Sequence, residues 1–176
     1  MLTKYYAGIG SRRVPDTIAL RMRGIARFLQ DDYILRSGGA PGSDLAFELG
    51  VSNGNKEIFI PSKGFNGSES TLIGSTKEAM ELTSKYHPNW KNLKEYVKIL
   101  MARNANQVLG NDLITPSEFV LCWTPDGAES PKQRSRDTGG TGQAISIAYD
   151  HGIPVINMKN PLWIERLEQI IGCEII

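Results

Sequence analysis

Three times along the chain an apolar run of strand length gives way to a glycine-bearing turn and then to a segment that reads as a helix. Tyr5 to Ile9 ends in Gly10-Ser11-Arg12-Arg13, and Tyr33 to Arg36 ends in Ser37-Gly38-Gly39-Ala40-Pro41-Gly42-Ser43-Asp44. Phe119 to Trp123 is followed by a polar segment and then by Asp137-Thr138-Gly139-Gly140-Thr141-Gly142-Gln143. Parallel strands need a crossover connection, and strand, turn and helix in alternation is how a chain supplies it. The predicted fold class is therefore α/β, with a mostly parallel central sheet and helices on both faces.

Between these landmarks the remaining elements can be placed. Pro15 and Asp16 open a helix whose apolar residues Ile18, Met22, Ile25 and Leu29 recur at steps of four and three, with Arg21, Arg23 and Arg27 on its solvated face. Ser43 or Asp44 is available to cap the helix after the second strand. Glu57 to Pro61 predicts a third strand, and Ser62 to Gly74, with Lys63 and Phe65, a long loop. Ser75-Thr76-Lys77-Glu78 reads as a capping box for a helix ending near Tyr86. A further helix runs from about Leu93 to Gly110 and carries Arg103-Asn104 and Asn106-Gln107. The segment Thr124 to Asp137, with Lys132, Arg134 and Arg136, reads either as a flap bringing cations over an anion or as a surface loop. Gln143 to His151 is helical, Ile153 to Met158 a strand, and Pro161 stands at the first position of a last helix, with Cys173 to Ile176 as a short final strand.

At 176 residues without repeat or linker, the sequence reads as one domain over 1–176. The formal net charge of +1 gives no overall pull toward nucleic acid, so any anion binding must be local. Cys122 and Cys173 lie inside apolar runs and read as reduced, buried thiols; with only His87 and His151 beside them, no metal site is expected. The N-terminus has no secretory pattern and no apolar run has membrane-spanning length, so a soluble, cytoplasmic protein is expected, with no membrane partner.

A glycine turn at a loop-to-helix junction lets backbone approach a ligand closely, where helix N-terminal amides and the positive end of the dipole favour a phosphate. Any one such turn is equally an ordinary connection. Recurrence at successive strand ends is what points to an anion site.

Taken in order, Gly10-Ser11-Arg12, Ser37-Gly38-Gly39-Ala40 through Asp44, Ala102-Arg103-Asn104 and Thr138-Gly139-Gly140-Thr141-Gly142 resemble the SLOG superfamily. Within it, the chain is similar to the DprA/Smf-type DNA-processing proteins and to small YspA-like proteins often encoded near or within phage genomes. The resemblance implies a three-layer Rossmann-like domain with a nucleotide or nucleic-acid phosphate held across the C-terminal ends of its parallel strands. On that basis Gly8, Gly10, Ser11 and Arg12 line one side of the site, and Ser37, Gly38, Gly39, Gly42, Ser43 and Asp44 form its floor. Thr138, Gly139, Gly140, Thr141, Gly142 and Gln143 form a phosphate seat, while Arg103 and Asn104 reach in from their helix, Arg103 as a bidentate phosphate partner. Asp44 has two readings, a helix cap or an acceptor for a ribose hydroxyl.

The phosphoribohydrolases of the superfamily carry a glutamate within the helical turn after the glycine loop, where this chain has Ile145 and Ser146. Glycosidic cleavage here would have to recruit Asp44, Glu48, Asp126 or Asp137, and the candidate catalytic residues are Asp44, Glu48 and Arg103. The leading expectation is a binding protein for a small nucleotide ligand, such as a nucleoside phosphate or an ADP-ribose derivative, acting as sensor or sequestering agent and requiring no other cofactor. The alternatives are a DprA-like single-stranded DNA binder in recombination and a nucleotide N-glycosidic hydrolase. The resemblance also implies a homodimer.

Overall fold

A computed structural model of the chain describes residues 2–175. Five strands, β1 Lys4–Gly10, β2 Tyr33–Ser37, β3 Lys56–Ile58, β4 Val120–Trp123 and β5 Val155–Asn157, form one sheet in the order β3-β2-β1-β4-β5, with every pairing parallel. The chain builds outward from β1 through β2 to β3, then returns to the other side of β1 for β4 and β5. The order reverses between β1 and β4, and at that point the connections leave in opposite directions and open a crevice at the strands' C-terminal ends.

The six helices are α1 Asp16–Leu29, α2 Ser43–Glu48, α3 Lys77–Ser84, α4 Glu95–Leu109, α5 Thr141–Asp150 and α6 Trp163–Ile171. Successive residues of β1 face opposite layers, as strand pleating requires. Tyr6 points into a core with Met22, Ala26 and Leu29 of α1, Phe47 of α2 and Leu167 of α6. Ala7 and Ile9 point into a second core with Ala105 and Val108 of α4 and Ala144, Ile145 and Ile147 of α5. Tyr6 anchors the first core, stacked on Phe119 at 5.5 Å between ring centroids and edge-on to Tyr33 and Phe47. Among the described residues no helix is long and apolar enough to cross a membrane.

Several local expectations give way to what the closed fold makes available. Helix α2 is capped by neither Ser43 nor Asp44; its N-cap is Gly42, because both side chains are engaged elsewhere. Thr76, not Ser75, caps α3, accepting from the Ala79 amide at 3.1 Å. Helix α6 starts at Trp163 instead of Pro161, since Leu162 takes a left-handed conformation with φ of 62° and breaks the entry. The described part of the expected last strand is not paired; the Ile175 amide donates to Glu168 Oε1 at 2.8 Å. Cys122 is buried as expected but Cys173 is exposed, because the chain beyond α6 lies at the surface. The loop after β3 is ordered by a parallel bridge between Ile60 and Ile73.

Gly8 belongs to this packing and not to a ligand site. A Cβ there would lie 2.7 Å from Leu35 Cδ1 and 2.7 Å from Phe47 Cγ, both in the first core. Gly8→Ala is expected to cost about 1–3 kcal/mol through overpacking, read as a lower urea midpoint at unchanged slope.

Candidate anion-binding cleft

At the exit of β1 the backbone is held from two directions. The Ser11 amide donates to the Trp123 carbonyl of β4 at 2.9 Å, while the Ser11 carbonyl accepts from both the amide and the Oγ of Ser43, at 3.2 and 2.8 Å. Gly10 has φ of 149°, and a Cβ on it would lie 2.6 Å from the Trp123 carbonyl oxygen and 2.7 Å from Ser43 Oγ. Gly42, at φ of 84°, is pressed against the Arg12 backbone, 2.6 Å from the place of a Cβ. Side chains are thus absent where two turns meet main chain to main chain.

The crevice left between these turns, α4 and the start of α5 has a volume of about 490 Å³. Gly10, Ser11, Arg12 and Arg13 border it from the β1–α1 turn, and Ala40 and Asp44 from the β2–α2 turn. Helix α4 contributes Leu100, Met101, Arg103, Asn104 and Gln107, and the approach to α5 contributes residues 136–141. Four arginines, Arg12, Arg13, Arg103 and Arg136, therefore face two aspartates, Asp44 and Asp137. Arg13 and Asp137 pair at 3.5 Å with both side chains largely exposed, so this contact is screened and weak.

Arg103 differs from the role expected of it. Its residue is only 6% exposed, its Nη1 donates to the Gly38 carbonyl and its Nε to the Leu100 carbonyl at 3.1 Å, and the guanidinium lies 4.8 Å from the centre of the Phe65 ring. Two donors are committed to the backbone, which compensates the burial of the charge and leaves Nη2 rather than a bidentate fork for an anion. Burial lowers its pKa to about 10, Asp44 acting in the opposite sense, so it remains a cation at neutral pH. Asp44, 5% exposed, accepts from the Ala40 amide at 3.2 Å. Burial raises its pKa to about 6, against the pull of Arg103 and of the Ala40, Gly38 and Gly10 amides.

The polar segment before α5 is ordered by a single carboxylate, Asp126. Asp126 accepts from Thr124 Oγ1 at 2.7 Å, Ser135 Oγ at 2.7 Å, the Ala128 amide at 3.2 Å and Thr138 Oγ1. Burial works to raise its pKa, but the Thr138, Ser135 and Thr124 hydroxyls overcome this and hold it well below the usual carboxylate range. The latch brings Arg136 to the cleft but turns Arg134 away, its Nη1 donating to Ser146 Oγ at 3.0 Å; Lys132 is exposed outside the cleft.

Of the expected site residues, Gly10, Ser11, Arg12, Asp44, Arg103, Asn104, Thr138, Gly139, Gly140 and Thr141 border one cleft. The others support it from behind. Ser37 Oγ donates to the Gly8 carbonyl at 2.6 Å, Gly39 lies against Ile58 and Ile60, and Ser43 is spent on Ser11. Gly38 gives up its side-chain space to Gln107 and Asp44. The phosphate seat is shorter than expected: Arg134 fills the space beside Gly142, and Gln143 turns to Asn104, whose Nδ2 donates to its Oε1 at 3.3 Å. Glu48 lies outside the cleft, paired with Lys56 at 3.0 Å near the β3 edge. Gln107 was missed, because an amide among the polar residues of an apolar helix gives no sign that it turns inward.

No family model matches the chain, and no curated protein matches it in sequence. Two solved structures share its fold. One is DNA processing protein A from Helicobacter pylori, from work on its single-stranded DNA binding mode, at a TM-score of 0.56 and 17% identity over 97% of this chain and 74% of that one. The other is DNA processing protein A (DprA) from Streptococcus pneumoniae, at a TM-score of 0.52 and 18% identity over 99% of this chain and 58% of that one. At these identities the likeness is one of architecture: the Rossmann-like α/β domain with its parallel sheet is shared.

Proposed function

We propose that this chain binds single-stranded DNA, seating backbone phosphate at the rim of the β1–β4 cleft. The observation that carries the reading is the convergence of Arg12, Arg13, Arg103 and Arg136 from three separate segments on one crevice, in a protein whose net charge is only +1. A local cationic site of this kind recruits phosphate by Coulomb attraction and counterion release, without a basic surface elsewhere. The likeness in fold to DNA processing protein A, studied for its single-stranded DNA binding in the H. pylori case, supports DNA over the free nucleotide that the sequence favoured. A cleft of about 490 Å³ is of the size that takes one nucleotide unit, free or within a single strand. Membership of the SLOG superfamily and pairing into a homodimer belong to the same proposal.

A second reading, a free nucleotide in the same cleft, is favoured by the volume and by Asp44 at its base, a poor neighbour for a continuous row of phosphates. Glycosidic hydrolysis has less support. Helix α5 presents Ile145 and Ser146 where a carboxylate would be needed; Ile145 is buried in the second core and Ser146 accepts from Arg134.

Fluorescence anisotropy with a labelled oligonucleotide over a salt series tests the reading. The logarithm of the association constant should fall linearly with that of salt, by about 0.7 per phosphate engaged, and Arg12→Ala should weaken binding roughly tenfold while lowering the slope by about 0.7. No binding at low salt, or binding indifferent to salt, overturns it. Acidity supplies an independent check, since the diester does not titrate near neutrality. Below about pH 6 Asp44 is neutral and the cleft more positive; above it the carboxylate repels phosphate. For an abasic backbone probe, which offers Asp44 no base edge, affinity is expected to fall several-fold as pH rises from about 5 to about 7, and Asp44→Asn should flatten the profile.

A further inference from the structure

We propose that the inner end of the cleft reads a nucleobase, with Gln107 and Asp44 taking the hydrogen-bonding edge of one unstacked base whose phosphate sits at the arginine rim. The proposal rests on the cleft being a nucleic-acid site and adds which part of the nucleic acid enters it.

Gln107 lies one helical turn beyond Arg103 on α4, is 2% exposed, and borders the cleft. Its backbone carbonyl accepts from Ser117 Oγ at 2.9 Å, while its side-chain amide is not among the polar groups sealed from solvent without a partner and so stays open to the cleft it lines. An amide held at the edge of a cleft, with no protein partner, can exchange water for the polar edge of a ligand at little cost when the hydrogen bonds are replaced. Here the open side is the cleft, so a ligand can supply the partner. The amide is held in place by the bare face of Gly38: its Nε2 lies 2.5 Å, and Asp44 Oδ2 2.9 Å, from the place of a Cβ on that glycine. Amide and carboxylate thus flank the same backbone atom without bonding to each other, presenting a donor and acceptors side by side.

The surroundings fit a flat heterocycle. Ile9, Leu100 and Met101 give the cleft apolar walls; Arg12, Arg13 and Arg136 are exposed, at its mouth, while Arg103 is buried beside Gly38. Asp44, when ionised, excludes phosphate from the inner end, which sets the orientation with base inward and phosphate outward. A glutamine amide pairs in two places with an adenine edge, and a carboxylate accepts from the exocyclic amine of cytosine. Single-stranded bases, being unstacked, can turn into such a slot. The inner end is therefore complementary to bases carrying an exocyclic amino group.

Four labelled probes of equal length test this: oligodeoxyadenylate, oligodeoxycytidylate, oligothymidylate and an abasic backbone. The intact protein should bind the adenine or cytosine probe about tenfold or more tightly than the thymine probe, with the abasic probe weakest. Gln107→Leu should erase the preference while keeping affinity for the abasic probe, whereas Arg12→Ala should weaken all four alike. Equal affinity of the intact protein for all four probes overturns base reading but leaves phosphate binding standing. Failure to bind any of them removes both. A Gln107→Leu protein that loses abasic binding as much as adenine binding also overturns the proposal, since the residue would then act on the cleft as a whole.

Discussion

The structure depends on the backbone junction at Ser11. Its amide reaches the carbonyl at the end of β4 and its carbonyl receives both donors of Ser43, so the exit of β1, the end of β4 and the start of α2 are one hydrogen-bonded unit. The unit closes only because Gly10 and Gly42 have no side chains where main chains meet. Once it closes, the β1–α1 and β2–α2 turns are fixed relative to the central strand, and the space between them and the helices of the opposite layer is an open crevice at the point where strand order reverses. The cleft residues of the β1–α1 and β2–α2 turns inherit their positions from this junction.

Part of this was legible in the sequence. A central parallel strand is buried on both faces, so Tyr5 to Ile9 and Phe119 to Trp123 read as unbroken apolar runs, and the sheet and its layers followed. The glycine turns marked the edge at which the cleft opens, because a residue without a side chain at a strand end is required by close approach. What was not legible is how polar side chains are divided once the turns close. Ser43 and Asp44 look like caps for α2, yet each is drawn to a neighbouring turn. Arg134 and Arg136 stand two residues apart with the same chemistry, and one tucks under α5 while the other borders the cleft. Pro161 marks a helix start that the left-handed Leu162 postpones. Such outcomes depend on contacts from distant parts of the chain.

The charge distribution shows why composition misleads about binding. Twenty basic and nineteen acidic residues nearly cancel over the whole chain, yet arginines outnumber aspartates in the cleft. Charge arranged in this way acts on an anion over short range only, within about a Debye length at physiological salt. Arg103 belongs to the scaffold as much as to the cleft, since the guanidinium facing the crevice also ties α4 to the second glycine turn through the Gly38 carbonyl. A lysine could supply the charge but not, with one nitrogen, serve both sides.

The Asp126 latch has a consequence for how this protein can vary. It grips Ser135 and Thr138, on either side of Arg136, and leaves the stretch around Lys132 outside its grasp. The aim of Arg136 is set at the anchored end of the segment, so insertions or exchanges near Lys132 are absorbed as slack by the exposed arc. Relatives could differ freely in that arc and still deliver the same cation to the same spot.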